Sequence, residues 1–467
     1  MPGYAVARRW DTLVPFAAVL AIALQAVPGG ETNGEAAEDP AGGQQPPELT
    51  PAVSFSVEHR TRYEHLNNQF RAGRSSDDRL LVFRTLAAVE LDAGRFRVST
   101  EFQDARTELA DAETPLSTSI VNPVDLLQAY VEVPVDDLLA EGSSSVLRGG
   151  RVTMDIGSRR LIARDNFTNV SYAFTGVDWQ WTGPDDSRLR TFFTFPVQRQ
   201  VSGDILENRP KFDTESGNVR FWGVHYSPAG LPWGDEGEFY YFGLDESDSP
   251  GRRTADRDFH TLGARLHRPA AEASFDYQFE SIFQLGRSRM SKSATTDLDH
   301  RARYFHIEAG YTFAAPGAPR LKLQYDYASG DKDPTDGQNN RFSGLFGSRS
   351  GDFGPSGIYG LVPRTNISSP GAHLSLTPGA GVETFVALRA YWLATVSDAW
   401  LVADISSPAG QAQSHIGNQV EFRVRWDVRP GRLRFQAGGA HLFAGDLPAS
   451  ADKSDPTYFY AQTTVSF

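Results

Sequence analysis

Tyr458-Phe-Tyr-Ala-Gln-Thr-Thr-Val-Ser-Phe467 is the stretch whose reading decides the fold. Val465, Thr463, Ala461 and Phe459 share one face with Phe467, and Ser466, Thr464, Gln462, Tyr460 and Tyr458 share the other. That is the period-two separation of a strand. One face suits lipid and the other water, and an ending on an aromatic fits a transmembrane barrel. A soluble sandwich can end the same way, so the N-terminus has to decide. There Arg8 and Arg9 precede the apolar run Leu13–Ala26, too short to span a bilayer as a helix but suited to an export signal over residues 1–26. A retained anchor is the competing reading. Residues 27–52 are rich in Gly, Glu, Ala, Gln and Pro and predict a disordered periplasmic lead-in, with the folded barrel over 53–467.

The composition narrows the chemistry. With no cysteine, disulfides, thiol catalysis and thiolate-bound metals are excluded. No later segment approaches the apolar length of a membrane helix, as expected of a barrel with a polar interior. A net charge of −13 without a basic stripe argues against nucleic acid as a partner.

From Val53 onward, alternating segments are joined by connections that are short and long in turn. Asp92-Ala-Gly94, Gly183-Pro-Asp-Asp186, Pro269-Ala-Ala271, Pro316-Gly-Ala-Pro319, Thr377-Pro-Gly-Ala-Gly381 and Arg429-Pro-Gly431 read as tight turns. Long polar loops lie between them, the longest Asp331 to Ser369. This is the pattern of an all-β, antiparallel up-and-down transmembrane barrel with both termini on the periplasmic side, about eighteen strands in the even-numbered bacterial series. A barrel of that size leaves an aqueous channel. Val420, Phe422, Val424, Trp426 and Val428 oppose Glu421, Arg423, Arg425 and Asp427, lipid side against interior. Trp179, Trp181, Phe193, Phe195, Tyr240, Tyr241, Trp392 and Tyr458 are candidates for the interfacial girdles.

The polar faces carry Arg60, Arg62, Arg84, Arg97, Arg151, Arg159, Arg190, Arg265, Arg303, Arg389, Arg423, Arg425 and Arg434. All but Arg303 are taken as the solute path. Arginine forks bind carboxylates bidentately, and rings of arginine make pores prefer anions. The plainer reading is that these arginines pair with acids on neighbouring strands and stiffen the wall. Asp331, Asp333 and Asp336 invite a calcium reading, but the spacing misses the helix-loop-helix pattern and no closing acid follows, so a solvated turn is expected. No Gly-x-Ser-x-Gly, His-Glu-x-x-His or phosphate-loop motif occurs, and the ten histidines are scattered, which argues against an enzyme.

Two segments carry a family resemblance. Asp155-Ile-Gly-Ser-Arg-Arg160 with Tyr172-Ala-Phe-Thr-Gly-Val177 resembles the glycine-arginine strand and Phe-x-Gly-Val segment of the alginate-export family of outer-membrane porins. Gln324-Tyr-Asp-Tyr-Ala-Ser-Gly-Asp-Lys-Asp-Pro-Thr-Asp-Gly337 with Arg341-Phe-Ser-Gly-Leu-Phe346 resembles its Tyr-x-Tyr-Ala-Ser-Gly-Asp strand exit and Phe-x-x-Leu loop. The resemblance implies a monomeric barrel passing an anionic polysaccharide or a small sugar-like or carboxylated solute, with Arg159 in the lumen and Arg160 at the rim. The loop after Phe346, Gly-Ser-Arg-Ser-Gly-Asp-Phe-Gly-Pro-Ser-Gly, departs from the family pattern, which bears on the solute more than on the fold. The expectation is therefore a passive, anion-selective channel in the bacterial outer membrane. It needs no cofactor, its mouth is gated by Asp331 to Ser369, and periplasmic export components are candidate partners. The alternative is a structural or adhesive barrel with an occluded lumen.

Overall fold

Strand pairing follows the sequence pattern around a complete circle. The computed structural model describes residues 51–74, 77–200 and 203–467, so the expected export signal and nearly all of the lead-in lie outside the described residues. The first strands are β1 (Ala52–Asn67), β2 (Asp78–Asp92), β3 (Arg97–Glu108), β4 (Asn122–Pro134), β5 (Ser144–Val152) and β6 (Phe174–Thr182). There follow β7 (Arg188–Pro196), β8 (Val219–Ser227), β9 (Glu236–Glu246), β10 (Asp258–Arg268), β11 (Ser274–Ser288) and β12 (Leu298–Thr312). The last are β13 (Arg320–Ala328), β14 (Gln338–Asn339), β15 (Ile367–Gly379), β16 (Val382–Trp392), β17 (His415–Arg429), β18 (Leu433–Ala444) and β19 (Thr457–Ser466). The two-residue β14 is a loop fragment lying parallel to β12, which leaves eighteen antiparallel wall strands.

The ring closes between β1 and β19, in register from Glu58 opposite Ser466 to Asn67 opposite Thr457. Val57 and Phe467 exchange backbone hydrogen bonds of 3.2 and 2.9 Å, so neither strand keeps a free edge along this seam. The tight turns the sequence marks join strands at one end of the barrel, where β4 to β5 (135–143) and β8 to β9 (228–235) have the longer connections. Gly381 sits at φ 74° in one of the tight turns, and a Cβ there would lie 2.6 Å from the Asp427 carbonyl.

The faces divide as the alternation predicts. Phe422, Val424 and Trp426 are exposed on the outside of β17, while Glu421 is buried inside. Leu321, Leu323 and Tyr325, and Phe275 and Phe279, point outward in the same way. No helix among the described residues is long and apolar enough to cross a membrane. Two expected girdle residues are corrected. Tyr240 and Tyr458 are buried inside the barrel, each on the opposite parity from an outward aromatic neighbour, Tyr241 and Phe459. Arg303 is corrected too. It shares the outer face of β12 with Phe305 and Ile307, since Tyr304 and His306 are the inward residues.

The interior holds more than wall side chains. Residues 153–173 are not a strand and rim. They turn into the barrel and meet residues 340–366, which enter from the opposite wall. Ala163 N–H donates to the Phe346 carbonyl (3.1 Å), Phe346 N–H to Leu161 (2.9 Å) and Ser348 N–H to Arg159 (3.0 Å). A Cβ on Gly347 would overlap the Arg160 backbone, so this approach requires glycine. Around the two segments an apolar core fills the long-loop half: Phe346 packs on Phe174 and Phe221, Phe70 stacks on Trp400 at 5.2 Å, and Tyr359 stacks on Tyr458. Burial of this aromatic and aliphatic surface holds the loops inside the barrel.

Candidate functional site

Below that core, toward the short-turn end, lies a polar cavity of about 370 Å³. Its wall side comes from the inward faces of β1, β2, β17, β18 and β19, and its roof from the ingoing segments around residues 158–167 and 348–355. Seven arginines line it, Arg60, Arg84, Arg159, Arg160, Arg423, Arg425 and Arg434, against four carboxylates, Glu58, Asp165, Asp352 and Glu421. Arginines outnumber carboxylates among the lining residues, although Arg159, Arg425 and Arg434 find their acids just outside the lining.

Pairing varies sharply around this cavity. Arg84 holds Glu58 at 2.7 Å, Arg159 holds Asp155 at 2.7 Å, Arg425 holds Glu383 at 3.0 Å and Arg434 holds Asp427 at 2.5 Å. Arg60 instead donates to the carbonyls of Asn166 and Thr168 and to the Asn169 side chain. Arg423 lies 4.7 Å over the Phe385 ring, its Nε without a hydrogen-bond partner. Among the described residues these two make no ion pair with a carboxylate.

The other expected path residues fall elsewhere. Arg62 is buried against Glu64 and over the Phe167 ring, beside the cavity. Arg97, Arg190, Arg265 and Arg389 face inward away from it, held by Glu132, Asp178, Glu238 and Asp326 respectively. Arg151 is a correction. It stands on the outward row of β5 opposite Ala129 and Thr175, and Glu215 holds it at 2.5 Å under the loop that follows β7. The inward arginine of β5 is Arg148, paired with Glu132 at 2.7 Å. Its neighbours Gly149 and Gly150 carry no side chain to mark the face.

Arg160 is corrected from rim to centre. Its Nε and Nη2 donate to the Asp352 carboxylate at 2.9 and 3.0 Å, and Nη1 donates to Glu280 on β11 at 2.7 Å. Arg364 donates to Asp352 at 2.5 Å and to the carbonyls of Arg160 and Ser348 at 2.7 and 2.9 Å. Glu280 also accepts from Tyr240 and Ser158. Both ingoing segments and the wall are thus tied through one buried charged junction. Arg364 escaped sequence reasoning because it lies in a loop, where period-two faces say nothing.

Metal chemistry finds little support. Asp333 accepts from Thr335 and Asp336 from Gln338 N–H, as in ordinary polar turns, while Asp331 is buried beside the Asn340 N–H. Among the described residues, His306, Asp326 and Asp352 are the group whose donor atoms converge. Their carboxylates are already held by Arg389, Arg160 and Arg364, so a cation would meet compensated charge.

A closed eighteen-strand barrel with this charged interior defines a class: an outer-membrane, porin-type channel protein for passive passage of solutes. The alginate-export family's sequence profile matches residues 52–462, and the chain belongs to that family. Among solved structures it is similar to the outer-membrane protein OprD of Pseudomonas aeruginosa, with TM-score 0.57, 14% identity, and 90% of this chain and 95% of that one covered. It is also similar to OccAB1 of Acinetobacter baumannii, with TM-score 0.55, 12% identity and coverage of 89% and 96%. A third similar structure is P. aeruginosa OpdK with vanillate, with TM-score 0.54, 11% identity and coverage of 89% and 99%. No curated protein sequence matches the chain.

Proposed function

We propose that the protein passes anionic, hydroxyl-rich solutes, carboxylated sugars or a strand of acidic polysaccharide, along an arginine-rich path, working as a monomer. The observation that carries this reading is that, of the seven arginines around the cavity, Arg60 and Arg423 have no carboxylate partner among the described residues. A guanidinium in a water-poor site attracts a solute carboxylate far more strongly than one already neutralised by the wall. The volume, about 370 Å³, lies in the range that holds small molecules. The vanillate recorded with the similar OpdK is itself a carboxylate. The test is planar-bilayer recording of refolded protein with neutral and acidic oligosaccharides. Steady current that favours anions and falls on adding oligouronates is expected. Current indifferent to the charge of the sugar sinks the proposal.

A second reading has its own support in the packed core around Phe346, Tyr359 and Trp400, which stands between the cavity and the long-loop end. On that reading the barrel is occluded and serves as a structural or adhesive surface protein. Absence of current from folded, inserted protein under every applied voltage favours it.

A further inference from the structure

The lipid-facing side of β8 to β12 carries a furrow, on β8 to β11, and a cationic cluster, on β11 and β12. The furrow has a volume of about 510 Å³. Its floor is low because Ala264 and Ser281, opposite each other in register, are small, and Phe239, Tyr241 and Phe283 stand up as its walls. Toward the long-loop end, Phe283 is opposite Arg303, Leu285 is opposite Arg301, and Arg287 follows one step higher.

The height of these arginines follows from strand geometry. Phe275, Tyr311 and Phe313 cluster at the short-turn end, with ring centroids 4.7 and 4.9 Å apart, and mark the lower membrane boundary. A tilted strand crosses the hydrocarbon in roughly 9–11 residues. Counting from Tyr311 along β12 reaches Arg303 to Arg301, and counting from Phe275 along β11 reaches Phe283 to Leu285. The three arginines therefore sit at the outer boundary, where phosphorylated head groups lie.

They are poorly satisfied within the protein. Arg301 is exposed, and its acid, Asp299, is 3.7 Å away. Among the described residues the Arg303 guanidinium has only the face of Tyr327, at 5.8 Å. Arg287 lies between Asp258 and Asp299 in register yet, among the described residues, makes no ion pair with either. Cross-strand neighbours lie about 5 Å apart and diagonal ones about 7–8 Å apart, so one phosphate can reach more than one of these long side chains. Above an apolar belt, such a group complements an anionic head joined to acyl chains.

We propose that this face holds one molecule of a phosphorylated, acylated glycolipid of the outer leaflet, with an acyl chain in the furrow and a phosphate on Arg287, Arg301 and Arg303. The probe is diphosphoryl lipid A, added to the detergent-purified full-length chain and read by native mass spectrometry. One lipid retained per chain is expected. Substituting all three arginines by glutamine should weaken retention roughly 100-fold, at about one kcal/mol per surface cation. Ala264→Phe fills the floor and should also weaken it with every arginine in place. Inorganic phosphate at millimolar concentration should not compete, because it lacks the acyl chain. Equal retention of the dephosphorylated lipid, undiminished retention by the triple variant, or full competition by phosphate overturns the proposal. Heat-modifiable migration on gels reports folding. Should the triple variant fail that check, Arg287→Gln and Arg303→Gln singly should each weaken retention about fivefold, and two unchanged singles overturn it equally.

Discussion

Asp352→Asn isolates the junction that holds the two ingoing segments. The substitution keeps shape but removes the negative charge between Arg160 and Arg364, which reach it at 2.9 and 2.5 Å. Arg160 retains Glu280, whereas Arg364 is left with backbone carbonyls and the faces of Tyr304 and Phe353 but no carboxylate. Breaking one side of a buried ion pair costs about 3–5 kcal/mol, because the surviving charge stays buried and unmatched. The strain is relieved when residues 340–366 swing away from the wall into water. At a tenfold change per 1.4 kcal/mol, even the low end of that range raises the ratio of released to docked segments about 100-fold. The assay is single-channel recording of the variant beside the parent protein in planar bilayers. Larger or more frequent openings are expected from Asp352→Asn, with a lower melting temperature for the detergent-solubilised protein. A lowered melting temperature with conductance traces identical to the parent's would refute the idea that this junction sets the width of the path.

Three further outcomes follow from the same geometry. Arg423→Ala with Arg425→Ala removes two positive charges from the cavity lining and should shift the reversal potential in a salt gradient toward cation preference; an unchanged potential excludes both from the path. Val424→Lys puts a charge on the lipid side and should destabilise the barrel by about 2–4 kcal/mol near mid-membrane in refolding titrations, whereas Arg423→Lys, one residue away on the inner face, should stay close to the parent. In the outer loop that follows β7, burial and the nearby Asp125 carboxylate push the Asp213 carboxyl up to about 7. The folded loop then holds a proton that the unfolded chain releases, so its stability falls as pH rises from about 4 to about 7. Protection of the amides in residues 203–218, taken relative to the intrinsic exchange rate at each pH, should fall over that window and Asp213→Asn should flatten the dependence; protection independent of pH in the parent counts against it.

The wall was legible because period two is imposed twice, by lipid outside and by water or packed loops inside. Val420 to Val428 and Leu321 to Asp326 therefore read directly from the sequence. What failed did so for identifiable reasons. Asp155 to Arg160 resembles a strand, yet residues 153–173 turn inward and Met154, Ile156, Leu161 and Ile162 join the same buried apolar cluster as Phe174 and Phe221. Arg151 was misplaced by one residue at a glycine pair, and a one-residue slip exchanges the faces. Arg303 was misplaced because charge suggested the interior, although arginine is at home outside once it reaches the membrane boundary. The pairing state of each arginine depends on which acid lies across the strand or descends from a loop, and that is three-dimensional information.

The bond pattern joining Val57 to Phe467 has a consequence for biogenesis. The partners that meet there are the first and last strands of the barrel, so the cylinder stays open until β19 is delivered. Until then one margin of β1 and one of β18 present unsatisfied amides, each costing several kcal/mol if pushed into hydrocarbon. The nascent chain therefore gains by waiting in water, shielded from premature insertion, and by committing to the bilayer only when both margins can be joined. Loss of the last strand would then remove the whole assembly from the membrane, not merely one eighteenth of its wall.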